Sequence, residues 1–288
     1  VKVRFGGKVR EEWKDGHCEI VYEDYDEVEA VPYDMLISGG VGKAVNTLRL
    51  WKARDINNFN MEAFSQGQYL KAVEENTIAE TISKVLYPSD NHTEGKLLRL
   101  TQQYFLVSAS VQSIIRDHMA VYGTLENLPD KVAIHINDTH PALCIPELMR
   151  ILIDDYFFSW DHAWNIVTKT VSYTNHTVMQ EALEKWDIEL IEEILPDIMV
   201  IIKDIDFAMR NELEARGIDK TTINKIAIIR DKKVHMADLA VYVSAAVNGV
   251  AAIHTEIIKN EVLADWHKIY PEKIRNKTNG VTQRRWLR

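Results

Sequence analysis

Apolar and polar positions alternate along the first 40 residues, with Val1, Val3 and Phe5, then Cys18, Ile20 and Tyr22, set between glycine-containing turns. Alternation with a period of two belongs to half-buried strands, so an antiparallel β-meander is expected over 1–44. The period then changes. From 96 to 120, Leu97, Leu100, Tyr104, Val107, Val111, Ile114 and Ile115 recur at threes and fours, which is one face of a long helix. A second helix is expected from Pro196 to about Ala215, with Ile198, Ile201, Ile205 and Met209 inward and Gly217 as its stop. Between them VAIHI at 132–136 is compact and rich in β-branched residues, and polar NDTH and a helical pattern follow it. That order predicts a buried parallel strand feeding a helix. VSYT at 171–174 with a helix over about 177–186 repeats the unit, IAIIRD at 226–231 reads as a strand, and MADLAVYVSAAVNGV at 236–250 reads as a buried helix. The fold class is α/β with an antiparallel portion at its start, and no repeat or low-complexity linker marks a boundary within 45–288.

The 288 residues, 46% of them hydrophobic, suffice for one large domain or two smaller ones. A formal charge of −9 and a pI near 5.6 exclude a general nucleic-acid binder, which needs clustered Lys and Arg. No stretch approaches the run of about 20 apolar residues that spans a membrane, and no secretory leader is visible. Cys18 and Cys144 are the only cysteines, so no disulfide framework is implied and a reducing, cytoplasmic setting is expected. With Val1 at its start and RRWL near its end, the chain reads as a fragment.

Chemistry is expected at the carboxyl ends of parallel strands, where loops and helix N-termini meet ligands. Asn137, Asp138, Thr139 and His140 follow the first such strand, and Pro141 is placed to open a helix that Asp138 or Thr139 could cap. Capping leaves His140 unexplained. A metal site at His135, Asp138 and His140 needs an unusual turn, because neighbouring strand positions face opposite ways, and none is expected. Asn175, His176 and Thr177 follow the second strand, and Glu184, eight positions after His176, shares its face if a helix begins at once. NKTNGVTQRRW at 276–286 reads locally as a turn before a helix. ISGGVGKA at 37–44 is not a phosphate loop, since Ile37 and Ala44 stand where Gly and Ser or Thr are required.

The strings LWKA (50–53), LYPSDN (86–91), EGKLLRLTQQYF (94–105), HINDTHPAL (135–143), YTNHTVMQEALEKW (173–186), VNGVAAIH (247–254) and NKTNGVTQRRWL (276–287) together resemble the α-glucan (glycogen, starch or maltodextrin) phosphorylase family, in order and across almost the whole chain. The resemblance implies a two-lobed GT-B glycosyltransferase with a Rossmann-like parallel sheet in each lobe. This chain is similar to most of the N-terminal lobe, and the C-terminal cofactor lobe is expected to be absent. It implies phosphorolysis of the terminal α-1,4-glucosyl unit with inorganic phosphate to α-glucose 1-phosphate, using pyridoxal 5′-phosphate whose Schiff-base Lys lies outside this chain. The fragment alone is therefore expected to be inactive.

By motif, the resemblance assigns Asn91 to a sugar hydroxyl, Asp90 to a gate loop, and His176 and Asn279 to the primary hydroxyl, with the His176 carbonyl facing the reacting carbon. Asp138, His140 and Glu184 match the polar network beneath, and Trp286 matches an aromatic near the cofactor. A neutral sugar with many hydroxyls calls for amide and imidazole partners of this kind. The segment 61–77 matches a protruding element that makes a homodimer contact, with Tyr69, Leu70 and Val73 expected to be exposed. Asp117, where the animal enzymes pair a second arginine with Arg116, puts their nucleotide regulation in doubt. A nucleotide-sugar glycosyltransferase on the same architecture and a non-catalytic glucan-binding module remain as alternative readings.

Overall fold

The computed structural model of the chain describes residues 1–14, 17–39, 42–56, 60–281 and 286. Gly40 and Val41 of the glycine run, and 282–285 and 287 of the last string, lie outside the described residues, as does the side chain of Cys18. The chain forms two compact units, Val1–Ala120 with Glu189–Asp197, and Val121–Ile188 with Ile198–Arg288. The first break falls inside a continuous helix, so no change of composition or period announces it.

In the first unit β1 (Lys2–Phe5), β2 (Lys8–Lys14), β3 (His17–Glu23), β4 (Asp26–Ser38) and β5 (Val45–Asp55) are all antiparallel, but they do not form one meander. Among the described residues β2 and β3 pair only with each other, and the larger sheet has the order β1-β4-β5. The antiparallel portion therefore passes residue 44 and ends at Asp55, because β5 pairs with β4 from Ser38↔Val45 to Val28↔Asp55. Alternate positions Val3, Phe5, Val28, Ala30, Trp51 and Ala53 are buried on one face. After α1 (Met61–Ser65) and α2 (Tyr69–Lys84), α3 (Thr93–Tyr122) covers that face with Leu100, Tyr104, Val107 and Val111. Phe5 meets Tyr104 edge-on at 5.8 Å, and the Trp51 indole donates to Ser110 Oγ at 3.0 Å. α2 anchors through Ala72, Ala79 and Ile82, whereas Tyr69, Leu70 and Val73 are 61%, 86% and 40% exposed.

The second unit contains α4 (Leu128–Lys131), β6 (Ile134–Asn137), α5 (Cys144–Arg150), α6 (Trp160–Thr170), β7 (Val171–Thr174) and β8 (Lys185–Asp187). α7 (Ile188–Ile194) falls almost wholly in the first unit, and the second resumes within α8 (Pro196–Ala215), followed by α9 (Lys220–Ile226), β9 (Ile229–Arg230), β10 (Lys233–His235) and α10 (Met236–Val243). It closes with β11 (Val247–Gly249), α11 (Ala252–Ile257), α12 (Ala264–Ile269) and β12 (Ile274–Asn276). Four strands make a parallel sheet in the order β12-β11-β7-β6, and β8-β10-β9 make a small antiparallel one. α5 is buried throughout, its Arg150 and Glu147 forming a fork of 2.9 and 3.0 Å that satisfies both charges. The apolar run at 236–250 is not one helix: α10 stops at Val243, where the Lys273 amine donates to the carbonyls of Val241 (2.9 Å) and Tyr242 (2.5 Å), and 247–249 enters the sheet.

Candidate active site

All four strands of the parallel sheet run the same way, so their carboxyl ends share one rim. Register places Asn137 beside Thr174, Thr174 beside Asn248, and Gly249 beside Asn276. Residues from 137 to 276 in the sequence are thereby gathered, at the position where open α/β sheets bind ligands.

After β6 the Asp138 N–H still donates to Thr174 O at 2.9 Å, and Asp138 then turns left-handed, with φ of 69°. An Asx side chain tolerates that conformation because it can bond its own backbone locally, and Asp138 Oδ1 accepts the Thr139 N–H at 2.6 Å. The buried Thr139 hydroxyl lies 3.3 Å from Asp138 Oδ1 and 3.2 Å from Glu184 Oε2, so one O–H group stands between two carboxylates. Helix capping does not account for this loop. α5 starts at Cys144 with Leu143 at its N-cap and no side-chain cap bond, and Pro141 lies in the preceding turn. His140 is half-buried in the same loop, and His135 bonds the Thr174 hydroxyl.

The expected helix over 177–186 is replaced by an irregular path with a short 3-10 turn at Gln180–Ala182, followed by β8. Two bonds explain the difference. Buried Asn175 takes the Thr177 N–H on its Oδ1 at 3.0 Å, closing an Asx turn in place of a first helical turn, and the Glu184 carbonyl is used by Met236 N at 3.2 Å as the chain enters strand pairing. Glu184 therefore reaches Thr139 from the lead-in to β8, and not along a helix face from His176. Asn175 also donates to the Tyr173 hydroxyl at 3.1 Å, and its N–H donates to Asn248 O at 3.0 Å. Pinned this way, it turns the next residue, His176, outward to solvent. His176 Nε2 lies 2.6 Å from Asn137 Oδ1; an amide oxygen only accepts, so Nε2 carries the proton.

From the other two strands come Asn279 and a residue the sequence reading passed over. The Asn279 N–H donates to Val250 O at 2.9 Å and Lys277 N–H to Gly249 O at 3.0 Å, which hangs 277–279 on the end of β11. Buried His254 accepts the Val250 N–H on Nδ1 at 3.1 Å, and burial together with the neighbouring His176 holds its pKa below the usual imidazole value. It lies within the VNGVAAIH string, but only the fold brings it to His176. Gly249 permits the approach, since a Cβ there would stand 2.4 Å from Thr255 Oγ1. Asp90 and exposed Asn91 belong to the first unit, where Asp90 Oδ2 accepts from Arg99 Nη1 at 3.0 Å. Gly95 lets that loop lie on the start of α3, a Cβ there falling 1.7 Å from Ser89 O. Trp286 is 71% exposed.

A model of the carbohydrate phosphorylase family matches residues 1–288. The chain is 45% identical over 289 residues to a glycogen phosphorylase of Pasteurella multocida, covering 99% of this chain and 35% of the relative. It is 46% identical to the brain form of glycogen phosphorylase of Mus musculus, with the same coverage, and 46% identical to the muscle form of Ovis aries, over 92% of this chain and 33% of that protein. The chain thus spans about a third of the length of these relatives.

Proposed function

The chain belongs to the carbohydrate phosphorylase family, and from that premise we propose that the protein carrying it phosphorolyses terminal α-1,4-glucosyl units of a glycogen- or starch-type glucan with inorganic phosphate, giving α-glucose 1-phosphate. This chain supplies the sugar-binding side of a two-lobed GT-B enzyme. The observation that carries the reading is the gathering of His176, Asn279, Asp138 and His140 at adjoining strand ends of one parallel sheet, with Glu184 reaching Thr139 from the lead-in to β8.

His176 and Asn279 hold the primary hydroxyl of the glucosyl unit. The His176 carbonyl faces the carbon where positive charge develops, and an oxygen dipole fixed in advance stabilises that charge more than it stabilises the ground state. The bond from His176 Nε2 to Asn137 leaves Nδ1 as the ring nitrogen available to the sugar hydroxyl in this reading. Asp138 and Glu184, held on one hydroxyl, form with His140 the polar floor beneath the ring. Asn91 meets a further sugar hydroxyl, and Asp90 restrains its loop through Arg99.

Pyridoxal phosphate supplies, through its phosphate group, a proton partner for the substrate phosphate. Trp286 is the residue of this chain assigned to pack near it. Family membership is what supports placing the cofactor's anchoring lysine outside this chain. The exposure of Tyr69, Leu70 and Val73 on α2 supports a homodimer contact through 61–77. None of the helices is long and apolar enough to cross a membrane among the described residues. The reading carries a cytoplasmic setting with it, supported by a chain with only two cysteines.

The test is phosphate-dependent release of glucose 1-phosphate from a maltooligosaccharide by the full protein, lost in the Asp138→Asn, Glu184→Gln double variant. Glucosyl transfer from a nucleotide sugar, without phosphate-dependent release, would overturn the proposal.

A further inference from the structure

Asn279 is exposed on a segment without regular structure, so its aim depends on what holds the backbone beneath it. Two bonds do so: Lys277 N–H to Gly249 O at 3.0 Å, and Asn279 N–H to Val250 O at 2.9 Å. Both acceptors lie at or just past the end of β11, where strand pairing stops. Val250 has left the sheet, and its own N–H is taken by a side chain, His254 Nδ1, at 3.1 Å. His254 is the third residue of α11 and reaches back past Ala251, the N-cap residue, which makes no side-chain bond of its own. Burial and the nearby His176 keep the ring pKa below the usual imidazole value, and a neutral ring retains the lone pair that the bond needs. Nε2, which then carries the proton, has no partner among the described residues. Among those residues the bond to Val250 is therefore the one hydrogen bond of this ring.

The next residue of the helix holds the other end of the segment. Thr255 Oγ1 lies 2.9 Å from both Asn276 Oδ1 and Ala251 O, and the Asn276 amide donates to Thr278 Oγ1 at 3.2 Å. Thr255 is 1% exposed and His254 9%, so the groups that hold the segment are themselves packed in place. Both press on a single glycine: a Cβ on Gly249 would stand 2.4 Å from Thr255 Oγ1 and 3.1 Å from His254 Nδ1. A side chain reaching back from the third helical position is a known way to cap a helix, and capping alone would explain the His254 bond. It would not explain why the capped residue is the one that accepts from Asn279, nor why the following residue grips the start of the same segment.

We propose that His254 and Thr255 are positioning residues for the sugar's primary hydroxyl: they touch no substrate, and act by fixing 276–279 so that the Asn279 amide meets that hydroxyl. The proposal rests on the reading that Asn279 holds the primary hydroxyl. Its test uses the full protein run toward glucan synthesis, comparing kcat/KM for α-glucose 1-phosphate with that for its 6-deoxy analogue, which lacks only that hydroxyl. The ratio of the two reports the hydroxyl contact, whereas damage to folding or to the rest of the site lowers both values together. Asn279→Ala should lower the ratio by roughly 5- to 100-fold, with His176 supplying the discrimination that remains. His254→Leu keeps bulk and removes the acceptor, and should lower the ratio by at least about fivefold; Thr255→Val should lower it by about threefold. His254→Asn, whose Oδ1 can stand in for Nδ1, should restore most of the native ratio. Combining His254→Leu with Asn279→Ala should lower the ratio no further than Asn279→Ala alone, because the contact is already gone. An unchanged ratio in His254→Leu, or in Thr255→Val where the first does not fold, beside a lowered one in Asn279→Ala, would overturn the positioning role and leave the Asn279 assignment standing. A native ratio in Asn279→Ala would overturn that assignment and this proposal with it. A ratio as low in His254→Asn as in His254→Leu would show that the ring's bulk matters and not its acceptor, and would overturn the role given to the Val250 bond.

Discussion

Replacing Thr139 with Val tests the candidate site at the point where two of its carboxylates converge. The exchange keeps the branched shape of a side chain only 2% exposed and removes one hydroxyl, which lies 3.3 Å from Asp138 Oδ1 and 3.2 Å from Glu184 Oε2. Two oxygens that close to a shared third atom stand no more than about 6.5 Å apart. At an effective dielectric of about 20 their mutual repulsion is then roughly 2.5 kcal/mol or more. In the native protein the hydroxyl hydrogen offsets part of this, and hydrogen bonds to charged acceptors contribute about 1.5–3 kcal/mol each. The Thr139 N–H still holds Asp138 at 2.6 Å in the variant, so the contact with Glu184 is the one the exchange removes. If the loss falls on the reacting complex, kcat/KM for phosphorolysis of a maltooligosaccharide should fall by roughly 10- to 100-fold. If it falls on folding, the thermal unfolding temperature should drop instead. Thr139→Ser restores the hydroxyl and should recover most of either loss. A Val variant matching the native protein in both measurements, or a Ser variant as impaired as Val, would refute the argument that the hydroxyl joins the two carboxylates.

Three further outcomes follow from the geometry. In the full protein, His176→Ala should slow turnover on the order of a hundredfold with little change in KM, as for other preorganised transition-state contacts, whereas Asn279→Ala should cost only about 1–3 kcal/mol as a lost hydroxyl partner; steady-state phosphorolysis in which Asn279→Ala loses turnover and His176→Ala keeps it would reverse the assigned roles. Gly249→Ala should destabilise by about 1–3 kcal/mol through overpacking, because its Cβ would lie 2.4 Å from Thr255 Oγ1 and 2.9 Å from Thr255 Cα; adding Thr255→Ala should recover only part of the loss in a thermal unfolding scan, and native-like melting of the single variant would contradict the contact. Burial lowers the Lys273 pKa to about 8, below the usual lysine value, so between pH 8 and about 10 the unfolded chain binds the extra proton and stability should rise with pH, by at most about 1.4 kcal/mol per unit. Unfolding measured against pH should lose that rising component in Lys273→Met, and an unchanged profile would show that the amine titrates normally.

What was legible in the sequence depended on whether one local signal decided the outcome. α3, α8, β6 and β7 were readable because their periodicity is long or their apolar runs compact, and because their partners only reinforce what the local pattern prefers. The 236–250 run misled because an apolar stretch without punctuation fits a buried helix and a buried strand equally well, and Lys273, some thirty residues away, takes up the carbonyls where α10 ends. The 177–186 segment has good helix formers in EALEKW, yet one Asx turn at Asn175 and the pairing of Lys185–Asp187 with β10 outweigh them. That loss of helix alters the site: on a helix face Glu184 would have been a neighbour of His176, whereas on the extended path it becomes the partner of Thr139. His254 was the least legible, since nothing local distinguishes it from a helix histidine packed in a core. Its meaning comes from Gly249, which lets α11 approach the strand end closely enough for the Val250 N–H to fix the Nδ1 atom, within electrostatic reach of His176. A sequence motif of this kind identifies residues that must be present, but which of them touch is decided by parallel register, where a shift of one position would part Asn137 from Thr174 and His176 from its partner.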